Sequence, residues 1–389
     1  MRLALVLQGG VDRGGVDRVI PSRLWILERL AHRHDVHVFG LGQDEEAGDW
    51  ELLGARVHDV GTAPRKSRRL LARFGALHRE APFDVVHAFF GWPGVYAAVL
   101  GRRHRVPVLY SPCGGEFVAL RDIGYGMRCT LVGRVGSAVA AAGASRVTVA
   151  TPHMQRLAEA RGVRTERVPL GVALDRWPAA APRPRDPSRP ARLLHVGDLR
   201  PVKDQGTLLA AAARLFGAGV PFTLDVAGAD TTRGATARVA ATLGLGDVVR
   251  WHGTLRHDAL RALVDQADVL LVTSRHEAGP LVVLEAALAG VPTVGTAVGH
   301  VAEWAPHAAV AVPVGDAAAL ARETAALLAD EPRRLALAAA AQRLALGIDA
   351  DATVAAFERI YGELRETRAA RGWRGLDTRR VLRMLLSNV

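Results

Sequence analysis

Ser274-Arg-His-Glu277-Ala-Gly-Pro280-Leu-Val-Val-Leu-Glu285-Ala-Ala-Leu-Ala-Gly290-Val-Pro292 is the stretch on which the reading of this chain turns. It follows an apolar run at residues 269–273 and passes into an Ala- and Leu-rich segment closed by Gly290 and Pro292. That pattern is a strand, a loop and a helix. Pro280 suits the first helical position, where its missing N–H costs nothing. Gly279 before it lets the backbone approach a ligand closely. The N–H groups of Leu281 and Val282 then form an anion site at the helix start. Glu285 lies about 7.5 Å further along the helix axis, at 1.5 Å per residue from Pro280. A phosphate held at the helix start would thus have a carboxylate about a ribose away. Glu277, on the loop, would face the group beyond the phosphate.

Outward from this segment the chain alternates strand, glycine turn and helix. Residues 3–7 are a short apolar strand, as a parallel sheet buried on both faces requires. A glycine loop at 9–15 and an amphipathic helix at 19–32 follow. Further strands read at 35–39, 84–88, 106–110 and 146–150. Residues 178–190 carry five prolines and no periodicity, which predicts a stiff interdomain linker. Strands ending in Gly197, Gly228 and Gly253 restart the alternation, and three helices are expected from residue 316 on. Two α/β domains are expected, at 1–180 and 191–355, followed by helices at 356–389. In open α/β sheets ligands bind outside the carboxyl ends of the strands, so a cleft between facing domains is the expected site.

Composition narrows the class. The chain has 389 residues, 49% hydrophobic and 23% charged, which excludes disorder and fibrous folds. Cys113 and Cys129 cannot supply a disulfide framework, so a reducing, cytoplasmic setting is expected. No signal peptide or spanning helix reads from the sequence. The formal charge of +11 is spread along the chain. Without an aromatic-interleaved basic patch it does not argue for nucleic acid. A compositional bias toward Arg accounts for it equally well.

The 274–292 segment resembles the E-x7-E signature of retaining GT-B glycosyltransferases of family 4. The stretch Val298-Gly299-His300-Val301-Ala302-Glu303 is similar to that family's pattern after the signature, and Val196-Gly-Asp-Leu-Arg-Pro-Val-Lys203 to its G-x-L-x-x-x-K stretch. Residues 5–37 resemble its first glycine loop and helix, so the resemblance covers nearly the whole chain. It implies a GT-B fold of two facing Rossmann-like domains, with the helices at 356–389 crossing back onto the first. It also implies a nucleotide-sugar donor, UDP- or GDP-linked, in the second domain, an acceptor alcohol in the first, and no required cofactor or metal. The implied donor-binding residues are Arg200, Lys203, Glu277, Gly279, Pro280, Leu281, Val282 and Glu285, with Lys203 and Glu277 catalytic. Asp198 stands where many relatives carry a phosphate-contacting Arg, and Arg200 is the nearest substitute.

Residues for the acceptor are expected on the first domain. The loop of Gly14, Gly15 and Arg18 is neither a dinucleotide fingerprint nor a P-loop, because the glycine spacing is wrong and no Lys-Ser/Thr follows. His87 ends one strand, and Glu116 lies in the loop after another. The family often carries a His near Cys113; this chain does not. Cys113 reads as a small buried residue, not a nucleophile. His276 either contacts the sugar or lines the loop. No Asp-x-Asp or His/Cys cluster suits a metal. The basic tail at 373–386 fits packing on the first domain or a peripheral contact at the inner membrane face. The competing reading is a non-catalytic nucleotide-sugar-binding protein on the same fold.

Overall fold

A computed structural model describes residues 1–15, 19–62 and 65–371 of the chain. Arg18 and the basic tail at 373–386 lie outside the described residues. The chain divides into two compact units, crossing between them at 170/171 and again at 349/350.

The first unit runs β1 (Arg2–Leu7), α1 (Pro21–Ala31), β2 (Asp35–Gly40), β3 (Gly48–Leu52), β4 (Ala55–Asp59) and α2 (Lys66–Glu80). It continues with β5 (Val85–Phe89), α3 (Gly91–His104), β6 (Val108–Ser111), α4 (Leu131–Gly143), β7 (Arg146–Val149), α5 (Pro152–Glu159) and β8 (Glu166–Arg167). Its eight-stranded sheet has the order β3-β4-β2-β1-β5-β6-β7-β8. Pairing is parallel except at the β3–β4 edge, where Trp50 faces Val57 antiparallel. Leu5 stands between Val38 and His87 in register. Leu3, Leu5, Val38 and Val85 are buried, as central parallel strands demand. The β3–β4 hairpin is absent from the sequence reading. Leu53 and Gly54 turn it with φ of 52° and 82°, the positive pair that two-residue hairpin turns require.

The second unit runs β9 (Ala191–Val196), α6 (Gln205–Gly217), β10 (Phe222–Ala227), α7 (Ala235–Thr242), β11 (Val249–Gly253) and α8 (His257–Gln266). After these come β12 (Val269–Val272), α9 (Leu281–Leu288), β13 (Thr293–Thr296), α10 (Gly299–Trp304), β14 (Val310–Val312), α11 (Ala317–Ala329) and α12 (Glu331–Leu346). The sheet order is β11-β10-β9-β12-β13-β14, parallel throughout. The order reverses beside β9 and β12, so their carboxyl ends flank the switch point where open α/β sheets bind ligands. Asp316 and Asp330 cap α11 and α12 by accepting from the Ala319 and Arg333 N–H groups. The last helix, α13 (Ala350–Arg371), belongs to the first unit. Phe357, Ile360 and Tyr361 bury its apolar face in the core with Leu5, Val85 and Phe89.

The proline-rich stretch 178–190 is not a free linker. It lies wholly within the second unit and is bonded to it. The Ala180 N–H donates to the Leu288 carbonyl, and Arg183 donates to the Asp265 and Ala267 carbonyls. Buried Asp268 receives a bidentate Arg189 at 2.9 and 3.0 Å. Proline excludes regular secondary structure here, but the carbonyls and Arg side chains between the prolines remain available to bind the domain surface.

Candidate functional site

The second unit brings Lys203 and Glu277 together although 74 residues separate them. Lys203 ends a short 3-10 turn, Pro201–Lys203, after β9; Glu277 is in the loop after β12. Lys203 Nζ donates to Glu277 Oε1 at 2.6 Å. Ser274 Oγ donates to the same oxygen at 2.6 Å. The two loops are pinned further back. The Thr273 hydroxyl donates to the Lys203 carbonyl, and the Arg275 N–H to the Val202 carbonyl, both at 2.8 Å. The side chains keep 27% and 13% of their exposure, so the pair is reachable yet partly desolvated. Burial would raise the Glu277 carboxyl, but the Lys203 charge, hydrogen bonds from Lys203 and Ser274, and nearby His276 outweigh it. The net shift is downward, and Glu277 is a carboxylate at neutral pH.

His195, near the end of β9, is buried within electrostatic range of both groups. Its Nδ1–H donates to the Leu271 carbonyl at 3.0 Å, and its Nε2 has no partner among the described residues. Burial drives its pKa down to about 4, against a smaller upward effect of that carbonyl. A neutral imidazole beside Lys203 adds no competing charge.

Glu285 sits on α9 with its carboxylate nearly buried. Oε1 is 2.9 Å from His257 Nε2 at the start of α8. His257 packs on Trp177, whose indole N–H donates to the Glu285 carbonyl at 2.9 Å. Trp177 and Trp304 are core residues. Pro280 departs from its expected place. It is the N-cap residue, with extended φ/ψ of −70° and 115°, and Leu281 opens the helix. The Val283 N–H folds back to the Pro280 carbonyl at 3.2 Å. Among the described residues no acceptor meets the Leu281 or Val282 N–H, so both remain available at the helix start.

Arg200 and Asp198 form a looser pair at 3.4 Å, with the Arg200 side chain largely exposed. Asp198 Oδ1 also accepts from the Ala229 N–H at 3.1 Å. Asp198 therefore organises the loops after β9 and β10. Gly228 lies directly against that loop; a Cβ there would stand 2.1 Å from the Gly197 carbonyl oxygen.

In the first unit the glycine loop is built around a buried Arg that sequence reading did not single out. Arg23 Nη1 donates to the Gly9 carbonyl at 2.6 Å, and its guanidinium lies 4.6 Å from the Phe90 ring centre. Burial lowers its pKa to about 10, opposed by nearby Cys113. Gly14 and Gly15 close a turn in which the Gly15 N–H donates to the Asp12 carbonyl. Glu116 is buried, and its Oε2 accepts the Gly114 N–H at 2.7 Å. Burial raises its pKa, and backbone N–H groups of Cys113, Gly114 and Gly91 partly counter this. Glu116 nevertheless lines a cavity of about 340 Å³ with Phe90, Trp92, Tyr125 and Met127. Cys113 is pushed up to about 12, chiefly by burial, which fits a packing residue and not a nucleophile.

His87 does not reach an acceptor face. It lies in the core, with Nδ1 2.6 Å from the Tyr361 hydroxyl and Nε2 2.8 Å from Ser111 Oγ. Burial alone lowers its pKa to about 3. A strand-end His reads as accessible from sequence; α13 closes over it. Lys203, Glu277 and the α9 start cluster in one place, whereas His195 and His257 are partners that no local motif marks.

Among the described residues no group of three or more His, Cys, Asp or Glu side chains could hold a metal ion. No helix of the described residues is long and apolar enough to cross a membrane.

Two family models match the chain. "Glycosyl transferases group 1" covers residues 180–344, and "Glycosyl transferase 4-like domain" covers residues 14–171. A glycogen synthase from Mycobacterium tuberculosis is 30% identical over 341 residues, covering 85% of this chain and 79% of that one. Among solved structures, sucrose-phosphate synthase from Thermosynechococcus elongatus superposes with a TM-score of 0.77 at 18% identity. That match covers 94% of this chain and 99% of the other. Anabaena HepE in complex with UDP-glucose gives a TM-score of 0.72 at 18% identity, covering 93% and 100%. These two likenesses speak to the fold, which is GT-B. With both units matched by family models and the Glu277–Glu285 spacing in place, the chain belongs to the glycosyl transferases group 1 family and is a glycosyltransferase.

Proposed function

We propose that the protein moves a sugar from a nucleoside-diphosphate sugar to an acceptor hydroxyl with retention of anomeric configuration. The observation that carries this reading is the 2.6 Å contact of Lys203 and Glu277 at the switch point of the second sheet. In this reading the diphosphate lies against the Leu281 and Val282 N–H groups and Lys203, with Gly279 and Pro280 shaping the approach. Glu285, oriented by His257, takes the ribose hydroxyls, and Glu277 takes sugar hydroxyls. Arg200 is exposed enough to swing toward the phosphates. The complex of HepE with UDP-glucose supports UDP-glucose as the first donor to try.

The acceptor oxygen attacks the anomeric carbon on the face from which the diphosphate leaves. The bond from that carbon to the phosphate oxygen breaks with its electron pair on the phosphate, and that oxygen takes the acceptor's proton. Lys203 offsets the developing charge, where a fixed cation contributes most. No covalent nucleophile is required, and catalysis rests on positioning and charge stabilisation. No divalent metal enters this scheme, so excess EDTA should leave the transfer rate unchanged. Transfer is measured with UDP- and GDP-sugars over an acceptor panel, with the product anomer read by proton NMR. An inverted product, or donor binding with neither transfer nor slow hydrolysis, would reject the reading.

A further inference from the structure

We propose that the acceptor is an amphiphile, whose hydroxyl-bearing head enters the Glu116 cavity and whose alkyl or prenyl chain lies along the outer face of α4. The proposal rests on the reading above that the first unit takes the acceptor. The first observation is the cavity of about 340 Å³, whose wall carries polar Gln8, Glu116 and Tyr125 and apolar Phe90, Trp92 and Met127. The second is what adjoins it. Trp92 lines the cavity yet is 42% exposed. Leu131 and Val132, at the start of α4, are 71% and 69% exposed, and Val135 is also exposed. Single exposed apolar residues need no explanation. These stand on the helix whose Gly136 packs against the cavity wall, however, and clustered exposed apolar surface marks a binding site.

Gly136 supplies the continuity. A Cβ there would lie 3.3 Å from the Trp92 ring and 3.2 Å from Met127 Cε. Both residues belong to the cavity wall. Gly136 follows Val135 directly and lies one helical turn after Val132, so the exposed apolar positions of α4 begin within a turn of the residue that meets the cavity wall. A wholly polar acceptor, such as a soluble glycan, would leave Leu131 and Val132 against water. A ligand with a polar head and an apolar chain uses both parts of the surface.

The test uses the full chain and a homologous series of n-alkyl β-D-glucopyranosides, ethyl to octyl, each below its micelle concentration. Binding is followed by calorimetry, with UDP binding measured in parallel. The expected result is affinity that rises about threefold to fourfold for each methylene that becomes buried. In the double variant Leu131→Asn, Val132→Asn that chain-length dependence flattens, while UDP affinity and thermal unfolding stay as in the wild type. Both substitutions are at exposed positions, so folding is not at risk. Affinity independent of chain length, with UDP still bound, overturns the proposal and leaves the donor reading standing. Absence of UDP binding removes the reading on which it rests. Binding to phosphatidylcholine vesicles without chain-length dependence, or a dimer lost in the double variant, assigns the face to a membrane or a second copy and also overturns it.

Discussion

At the scale of single residues, the proposed function places the chemistry on Lys203 and Glu277. Replacing Lys203 with Ala removes the cation opposite the leaving diphosphate. The expected loss in kcat is about 10²- to 10³-fold, the range for deleting one preorganised charge-stabilising group. Glu277→Gln keeps the shape and the Ser274 contact but loses the charge. It should also cost turnover heavily, while circular dichroism and the unfolding midpoint change little because the pair is partly solvated. Wild-type rates in both variants would remove these assignments. Glu285→Gln should act differently. Its place beside His257 is a binding role, so the expected effect is a rise in donor KM of about 10- to 100-fold, the scale of one charged hydrogen bond, with kcat less affected. Steady-state kinetics in UDP-sugar separates the cases.

At the scale of elements, the loops after β9 and β12 matter because they meet through backbone contacts. The Lys203 and Val202 carbonyls receive the Thr273 hydroxyl and the Arg275 N–H, so the Lys203–Glu277 pair is set by the sheet order more than by side-chain packing. The end of α9 is equally constrained. Gly290 has a φ of 72°, and a Cβ there would stand 2.6 Å from Pro182 Cα. Gly290→Ala should therefore destabilise the second unit by about 1–3 kcal/mol, visible as a lower urea midpoint. Unchanged stability would show that the 178–190 stretch can shift away at no cost. The same contact explains why that stretch misleads in sequence. Proline density reads as a linker, whereas its bonds to Leu288 and Asp265 are long-range and leave no local pattern. The candidate site at α9 was legible because Glu277, Gly279, Pro280 and Glu285 are neighbours along the chain. Its supporting His195 and His257 were not, because they reach the site across the sheet.

For the whole molecule, the parallel sheets were legible from apolar runs ending in glycine, and the β3–β4 edge was not. Its hairpin turns on Leu53, a residue that rarely takes positive φ. His87 was misjudged for a related reason, since the helix that buries it begins more than 250 residues later. Buried histidines in both units set an acid limit on stability. The unfolded chain protonates them near the ordinary value of 6.5, whereas His195 holds out to about 4 and His87 to about 3. The unfolded state therefore binds more protons as pH falls below 6.5, and stability declines from there until the folded values are reached. Each contributes on the order of 3 kcal/mol across its window. Unfolding midpoints should fall between pH 6.5 and 4, and His87→Gln should flatten part of that slope; a pH-independent midpoint over this range would contradict it.

In the proposed function the second unit holds a nucleotide sugar through Lys203, Glu277 and Glu285. The most direct test is a thermal-unfolding titration with UDP-glucose and other nucleoside-diphosphate sugars, on the wild type and on Lys203→Ala and Glu285→Gln. At 100 times its dissociation constant, a donor should stabilise the wild type by about 2.7 kcal/mol, with the shift reduced or lost in both variants. No stabilisation by any nucleoside-diphosphate sugar, or equal stabilisation in all three proteins, would contradict it.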